Sequence, residues 1–233
     1  MKNYRMKMYS ISLLTFLAAL KAGAEVPATI SAEMKNRSIL SGFIACDDPV
    51  MEGKFGMKDG RVSIDANTEY NLRTKRIREI DLETMTALMT GTVNISLYAG
   101  YFAFPNTGSS DAQELGFSIS GKQSGFDLSS YLGKISGPET NNGHIIKINT
   151  GRSINITPRS ALDINVGGAF NEHYFNPSSG ITHVSETANY NFALDKNTSI
   201  SAKAYYQQAT NTAHFGSTFR NTGNITLGIK QNL

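Results

Sequence analysis

The amino-acid sequence predicts an all-β fold, specifically a closed antiparallel up-and-down transmembrane β-barrel of about twelve strands. Three observations lead to this fold class: short runs in which apolar and polar residues alternate, links between them that alternate short and long, and a leader segment for export. Alternation with a period of two is typical of a strand with one apolar and one polar face. A single barrel often has 200–250 residues, so this chain of 233 residues is expected to form one domain.

The N-terminal segment has the order of a cleavable secretory signal peptide. Basic residues 2, 5 and 7 precede an apolar run from Met8 to Leu20, and Ala22-Gly23-Ala24 provides small residues for cleavage. The run is shorter than the roughly 20 residues that a membrane-spanning helix needs. We therefore expect a signal peptide at 1–24 and a single barrel domain at 25–233.

Removing the leader changes the charge balance of the chain. Residues 1–24 hold four of the 22 basic residues and none of the acidic ones, so 18 basic residues remain beside 19 acidic residues. This near-neutral balance does not indicate a nucleic-acid partner. Cys46 is the only cysteine, so no disulfide can stabilise the fold and barrel closure would have to do so.

The alternating runs give the expected strands. In the clearest run, from Arg61 to Leu72, Val62 and Ile64 fall on the apolar face while Asp65 and Asn67 fall on the polar face. In the run near residue 190 the apolar face is interrupted by Glu186. The twelve predicted strands are 28–40, 50–58, 61–72, 78–90, 92–104, 113–121, 125–136, 144–156, 160–174, 182–195, 198–210 and 222–233.

The links between the runs alternate in length. Tight turns are expected at Asp59-Gly60, Thr90-Gly91, Gln123-Ser124, Pro158-Arg159 and Lys196-Asn197, and Asp-Gly is a strong hairpin signal. Longer polar links are expected at 41–49, 73–77, 105–112, 137–143, 175–181 and 211–221. Short periplasmic turns and longer extracellular loops are typical of outer-membrane barrels, which also have even strand numbers.

Several short motifs resemble the Gcw_chp family of bacterial proteins. Gly42 and the run Asp48–Gly53 are similar to the opening of the family, although Ser41 stands where Arg is expected and Glu52 replaces Gln. The segments 79–82 and 98–105 and the start of the next strand at 113–115 also resemble family segments. The resemblance implies a signal-bearing outer-membrane barrel and no known catalytic residues.

The polar face of the strands would line the barrel lumen. The candidate lumen-lining residues are Arg61, Asp65, Asn67, Glu69, Asp81, Glu83, Asn94, Lys147, Asn149, Asp163, Asn165 and Lys203. Residues of both charge signs occur, so the interior could be a solvated pore, or opposite charges could pair and close it. Eight-stranded barrels are filled by side chains and those of sixteen or more strands leave channels, so a strand count of twelve leaves both alternatives open.

No cofactor, metal or catalytic site is predicted. Glu172-His173 and His183 with Glu186 could bring imidazole and carboxylate groups together across one hairpin, but no close-spaced zinc motif is present. No G-x-S-x-G nucleophile motif occurs, and Gly151-Arg152-Ser153 lacks the ending of a phosphate-binding loop.

The preferred function from sequence is therefore a porin-like channel of the bacterial outer membrane that passes small hydrophilic solutes. The alternatives are a non-conducting structural or surface-interaction barrel and a soluble secreted β-sandwich that binds a ligand. Expected partners are outer-membrane lipids, lipopolysaccharide through the basic run 73–78, and the barrel-insertion machinery, because the chain ends on a strand at Leu233. The sequence leaves the oligomeric state, the solute and the role of Cys46 open.

Overall fold

The computed structural model describes residues 26–40, 43–107, 109–137, 142–174, 179–210 and 220–233, and the expected signal peptide lies outside these ranges. No α-helix occurs in the described ranges, so none there is long and apolar enough to span a membrane. The strands are β1 (Ala28–Lys35), β2 (Ser38–Leu40), β3 (Phe43–Cys46), β4 (Val50–Asp59), β5 (Val62–Asn71), β6 (Arg76–Met89), β7 (Val93–Ala103), β8 (Ala112–Gln123), β9 (Phe126–Ser136), β10 (His144–Thr157), β11 (Ser160–Glu172), β12 (Ser179–Ala193), β13 (Thr198–Ala209) and β14 (Thr222–Asn232).

Twelve of these strands close into a barrel. Strands β4 to β14 pair antiparallel in chain order, and β1 pairs with both β14 and β4. Closure gives every barrel strand two hydrogen-bonded neighbours, so no backbone edge is left for lipid to meet. The predicted twelve-stranded antiparallel barrel is therefore confirmed.

The first predicted strand, 28–40, is wrong at its outer end. Strand β1 ends at Lys35, and β2 pairs with β3 as a small separate hairpin in the first outer link. The chain bends at Asn36 and Arg37, where the Asn36 side chain accepts a hydrogen bond from the Ile225 N–H and the Arg37 guanidinium lies 3.5 Å from Asp47. Polar Asn36 and Ser38 take positions that would be apolar in a continued β1, so the end of the barrel strand has a local signal that the predicted span 28–40 overlooked.

The links follow the predicted alternation of short and long connections except at the second outer link, which has four residues, 72–75, and is no longer than the inner turn at 194–197. The turns at 60–61, 90–92, 124–125, 158–159 and 194–197 all lie at one end of the barrel, which we take as periplasmic. In the last of these turns the backbone N–H groups of Asn197 and Thr198 donate to the Asp195 carboxylate at 2.7 and 2.8 Å. These hydrogen bonds lower the pKa of Asp195 and hold the turn in shape.

The strand register separates two faces. Directly paired residues share a face, and the apolar members of each strand lie outside, where Leu115, Ile148 and Ile225 are 67%, 63% and 64% exposed. Large apolar side chains exposed all around a closed barrel form the surface that hydrocarbon covers. Glu186 is also outside, paired across strands with Val166 and Tyr206, and nothing in the structure explains it.

The first outer link is tied to the barrel through two aspartates. Asp47 accepts a hydrogen bond from Arg220 at 2.6 Å, and Asp48 accepts hydrogen bonds from Arg73 at 3.0 Å and from the amide of Asn71 at 3.3 Å. The Asn71 amide also lies 3.1 Å from the sulfur of Cys46. The accessibility of the Cys46 thiol can therefore be used to detect movement of this link.

Protonation of Asp48 should loosen the first outer link. The hydrogen bonds from Arg73 and Asn71 hold the pKa of Asp48 below its ordinary value, so the contact is present at neutral pH and is lost as the pH falls through this lowered pKa, below about pH 4. We expect an activated pyridyl disulfide to react faster with Cys46 in Asp48→Asn at neutral pH. The wild type should gain the same accessibility only at strongly acid pH.

Asp59→Asn, at a periplasmic turn, is the control for the Asp48 substitution, because it removes the same charge at the opposite end of the barrel. Equal reaction rates in Asp48→Asn, Asp59→Asn and the wild type would contradict the proposed tether.

Candidate functional site in the barrel interior

The structure places the sequence-predicted lumen residues in two groups. Ten occupy inward positions of the strands: Asp65, Asn67, Glu69, Asp81, Glu83, Lys147, Asn149, Asp163, Asn165 and Lys203. Arg61 lies in the turn at 60–61, and Asn94 lies beside the turn at 90–92, in the inward phase opposite Ser120. Arg61 donates to the Leu88 carbonyl at 3.5 Å, and Asn94 accepts from the Gly91 N–H at 3.1 Å, so both stabilise the short turns.

Two inward amides lie flat along the wall. Asn149 is paired with Gly167, and Asn165 with Gly151. A Cβ atom at Gly167 would come within 2.0 Å of the Asn149 Oδ1, and one at Gly151 within 1.9 Å of the Asn165 Oδ1. The glycines therefore leave room for the amides beside the backbone, which keeps these side chains close to the barrel wall.

Strands β4 to β8 form an acidic wall. We use this name for the inward residues Glu52, Asp65, Glu69, Glu79, Asp81, Glu83 and Glu114, which share that side of the interior with Lys35, Lys54 and Arg78. Lys35 pairs with Glu52, and Asn67 donates to Glu83 at 2.9 Å. Acidic residues outnumber basic ones here, so this side of the lumen is negative.

Arg78 lies inside the barrel and not in the basic outer link where the sequence placed it. A bulge between β5 and β6 pairs Glu69 with Glu79 and Tyr70 with Ile77, which leaves Arg78 as the extra residue. Its guanidinium lies 2.9 Å from Glu69 and 3.2 Å from Glu79, and all three side chains are about one-tenth exposed or less. The bulge thus supplies a buried cation to two carboxylates.

An apolar group narrows the outer half of the interior. This outer cluster consists of Phe102, Phe104, Ala112, Ile135, Ile145, Ala169 and Tyr174, at or just beyond the outer ends of β7 to β11. Each of these residues is less than one-tenth exposed. Side chains packed to this degree leave no space for water between them and the wall.

Two further tyrosines, Tyr98 and Tyr131, pack against the outer cluster, to which Tyr174 belongs. Tyr131 and Tyr174 donate to the two oxygens of Glu114 at 2.6 and 2.8 Å. The Tyr98 ring packs edge-on against Tyr131 with centroids 5.9 Å apart, and the Lys147 ammonium lies 5.5 Å from the centroid of the Tyr131 ring. Glu114 therefore fixes two aromatic rings in the lumen, and we call Glu114 with Tyr98, Tyr131 and Tyr174 the tyrosine constriction.

The periplasmic half of the interior is more open. A cavity of about 250 Å³ is lined by Asp127, Arg152, Ser153, Asp163, Asn165, Thr187, Asn189 and Lys203. A second cavity of about 240 Å³ shares Asn189 and Lys203 with the first and reaches Glu33, Ser201 and Lys230 on the neighbouring strands. We call the pair the periplasmic cavity, because both parts have polar linings and lie towards the short turns.

The histidine and carboxylate pairing considered from the sequence is not brought together. His183 faces inward and lies 2.9 Å from the Thr182 hydroxyl, whereas Glu186 faces outward on the same strand. A bulge beside Ala169 sets this phase. His214 lies outside the described residues, and within those residues no three His, Cys, Asp or Glu side chains are placed to hold a metal ion.

Sequence reasoning missed several interior residues. Glu79 lies two positions before Asp81 on the same face, so the period of two could have found it. Glu114 has the same inward phase on β8, although its two tyrosine partners lie 17 and 60 residues away. Nothing local indicates such partners, because strand register and barrel closure bring them together.

Solved structures of outer-membrane proteins match this fold. The KdgM porin in complex with disordered oligogalacturonate aligns with a TM-score of 0.56 at 7% identity, covering 89% of this chain and 99% of that chain. The NanC porin aligns with a TM-score of 0.57 at 8% identity, covering 88% and 100%. The translocator domain of the autotransporter NalP from Neisseria meningitidis gives 0.52 at 10% identity, covering 98% and 96%.

No protein-family model and no curated protein sequence matches the chain, so sequence similarity assigns no family, and the Gcw_chp resemblance stays a prediction. Porins and a translocator domain share the fold, and a shared fold does not decide between such functions. What the comparison establishes is the architecture: the chain has the β-barrel fold that the KdgM and NanC porins of known structure also have.

Proposed function

We propose that the barrel is a channel for small hydrophilic solutes. The observation that carries the proposal is the periplasmic cavity, whose two parts share Asn189 and Lys203 and are lined mainly by polar side chains from β9 to β14 and β1. A barrel whose interior served only as a core would be packed throughout, as the outer cluster is. The polar side chains offer hydrogen bonds to a solute in transit.

The tyrosine constriction is the expected selectivity region. Glu114 lies there with Glu83 nearby on the acidic wall, and Lys147 lies on the facing side of the Tyr131 ring. Carboxylates at a narrow point favour cations in other channels. We therefore propose a modest preference for cations. The negative charge of this lumen would disfavour a polyanion such as oligogalacturonate, which is in complex with the KdgM porin.

Planar-bilayer recording on the refolded protein tests the channel. We expect discrete conductance steps and a reversal potential under a KCl gradient that shows cation preference. Glu83→Gln should reduce this preference because it removes a negative charge from the acidic wall. Glu186→Gln, which makes the same chemical change on the outer surface, is the matched control and should leave the preference unchanged.

A refolded barrel that stays silent in repeated recordings would overturn the channel proposal. It would favour a second candidate, a closed barrel that acts through its surface loops. The observation behind this candidate is the outer cluster, in which Ile135 and Ile145 are 0% exposed, so that part of the outer interior is filled.

We also propose, from the sequence, contacts with lipopolysaccharide and with the insertion machinery. Within the basic run, Arg78 is engaged inside the barrel and Arg73 contacts Asp48. The contact with lipid phosphates is therefore assigned to Lys75 and Arg76, which are both exposed.

A further inference from the structure

One row of directly paired residues on neighbouring strands lies on a wall of the periplasmic cavity. Asp163 on β11 is paired directly with Asn189 on β12, and Asn189 is paired directly with Lys203 on β13. Neighbouring strands are about 4.8 Å apart, so the backbones of Asp163 and Lys203 are about 10 Å apart with an amide between them. A carboxylate and an ammonium are thus held on one wall of one cavity.

The two charges do not neutralise each other. Neither Asp163 nor Lys203 forms a salt bridge with any residue in the described ranges. The amide of Asn189 donates to Asn191 at 3.2 Å, and the amide of Asn191 donates to Asp163 at 2.7 Å. This chain of amides fixes the Asp163 carboxylate against the wall, while the long stem of Lys203 leaves its ammonium free to turn towards a ligand.

We infer that the periplasmic cavity binds small zwitterions, such as an amino acid or a short peptide. Asp163 accepts hydrogen bonds from the ammonium group of the ligand, and Lys203 donates to its carboxylate. Hydrogen bonds between charged groups are roughly twice as strong as neutral ones, so the two contacts together select ligands that carry both charges. Small zwitterions are thus the class of solute assigned to the channel proposed above.

The same cavity disfavours the other obvious solutes. Asp127 and Asp163 line its first part together with Arg152 and Lys203, so a ligand with a single charge is attracted by one pair and repelled by the other. None of its lining residues is aromatic, so a neutral sugar finds no ring to stack on. The first part, with a volume of about 250 Å³, has room for a small solute such as a dipeptide.

Saturation-transfer NMR on the refolded barrel tests the inference with glycylglycine as the probe. We expect binding of glycylglycine to weaken about tenfold in Lys203→Met and in Asp163→Asn, the effect of losing one hydrogen bond to a charged group. Lys58→Met is the matched control, because Lys58 is an inward lysine at the periplasmic end of β4, outside the row, and should bind as the wild type does. The uncharged analogue N-acetylglycinamide should bind weakly to all four proteins.

Equal binding of glycylglycine and N-acetylglycinamide, or full binding by Lys203→Met, would overturn the inference. Heat-modifiable migration on a gel verifies that each variant is folded. Binding does not require conduction, so the channel and the zwitterion site can each be refuted without the other. A silent barrel that still binds glycylglycine would refute the channel alone, and a conducting barrel without charge-dependent binding would refute the zwitterion site alone.

Discussion

Replacing Arg78 with Met is expected to destabilise the folded barrel by about 3–5 kcal/mol, the cost of removing one partner of a buried ion pair. The guanidinium is shared by Glu69 and Glu79, at 2.9 and 3.2 Å, and it is 10% exposed. Without it, two carboxylates remain side by side in the wall, away from water. The measurement is urea unfolding in lipid vesicles, followed by circular dichroism or gel mobility because the chain has no tryptophan.

The neighbouring arginine provides the control. Arg76 begins the same strand but is exposed, so Arg76→Met should change the free energy of unfolding by less than about 0.5 kcal/mol. Adding Glu69→Gln and Glu79→Gln to Arg78→Met should restore much of the stability, because no uncompensated charge is then left buried. Equal effects of Arg78→Met and Arg76→Met would show that the ion pair does not stabilise the barrel.

Replacing Gly116 with Ala is expected to lower the single-channel conductance severalfold. A Cβ atom at Gly116 would lie 2.2 Å from the Tyr131 hydroxyl oxygen and 2.5 Å from two atoms of its ring. The ring must therefore leave the wall, break its hydrogen bond to Glu114 and enter the lumen. Overpacking of this kind also costs about 1–3 kcal/mol of stability, so conductance is measured on protein that has been shown to refold.

Two further variants separate this effect from a general loss of folding. Gly53→Ala adds the same methyl group on the outer face, where no atom lies within 4 Å, and should conduct like the wild type. Gly116→Ala combined with Tyr131→Ala removes the displaced ring and should conduct at least as well as the wild type. If the double variant conducts as poorly as Gly116→Ala alone, displacement of the Tyr131 ring is not the cause.

The sequence predicted most of the strands because alternation is a local property. In a strand with one face towards lipid and one towards the interior, apolar residues such as Ile64 alternate with polar residues such as Asp65. This period of two is visible in the sequence. The short turns were visible for the same reason, since Asp59-Gly60 marks a tight hairpin locally. The inward positions of Asp163 and Lys203 follow directly from this phase.

The bulge and the first outer link show where local reasoning fails. Arg78 lies next to a basic run, and only the extra residue in the pairing of β5 with β6 moves its side chain inside. Similarly, residues 38–40 fall within the predicted first strand and yet form a hairpin with residues 43–46. In both places the apolar phase shifts along the sequence, from Ile77 to Ile80 and from Met34 to Ile39, but only the strand pairing shows what the shift does.

By itself the sequence determined the strand number, the face of most side chains and the end of the barrel at which the short turns lie. Only the tertiary structure decided which inward side chains meet, Glu114 with two tyrosines and Arg78 with two glutamates, and which lie in one row, Asp163 with Lys203. The physical reason is that alternation fixes the direction of a side chain, whereas closure and register fix its neighbours across strands that are far apart in the chain.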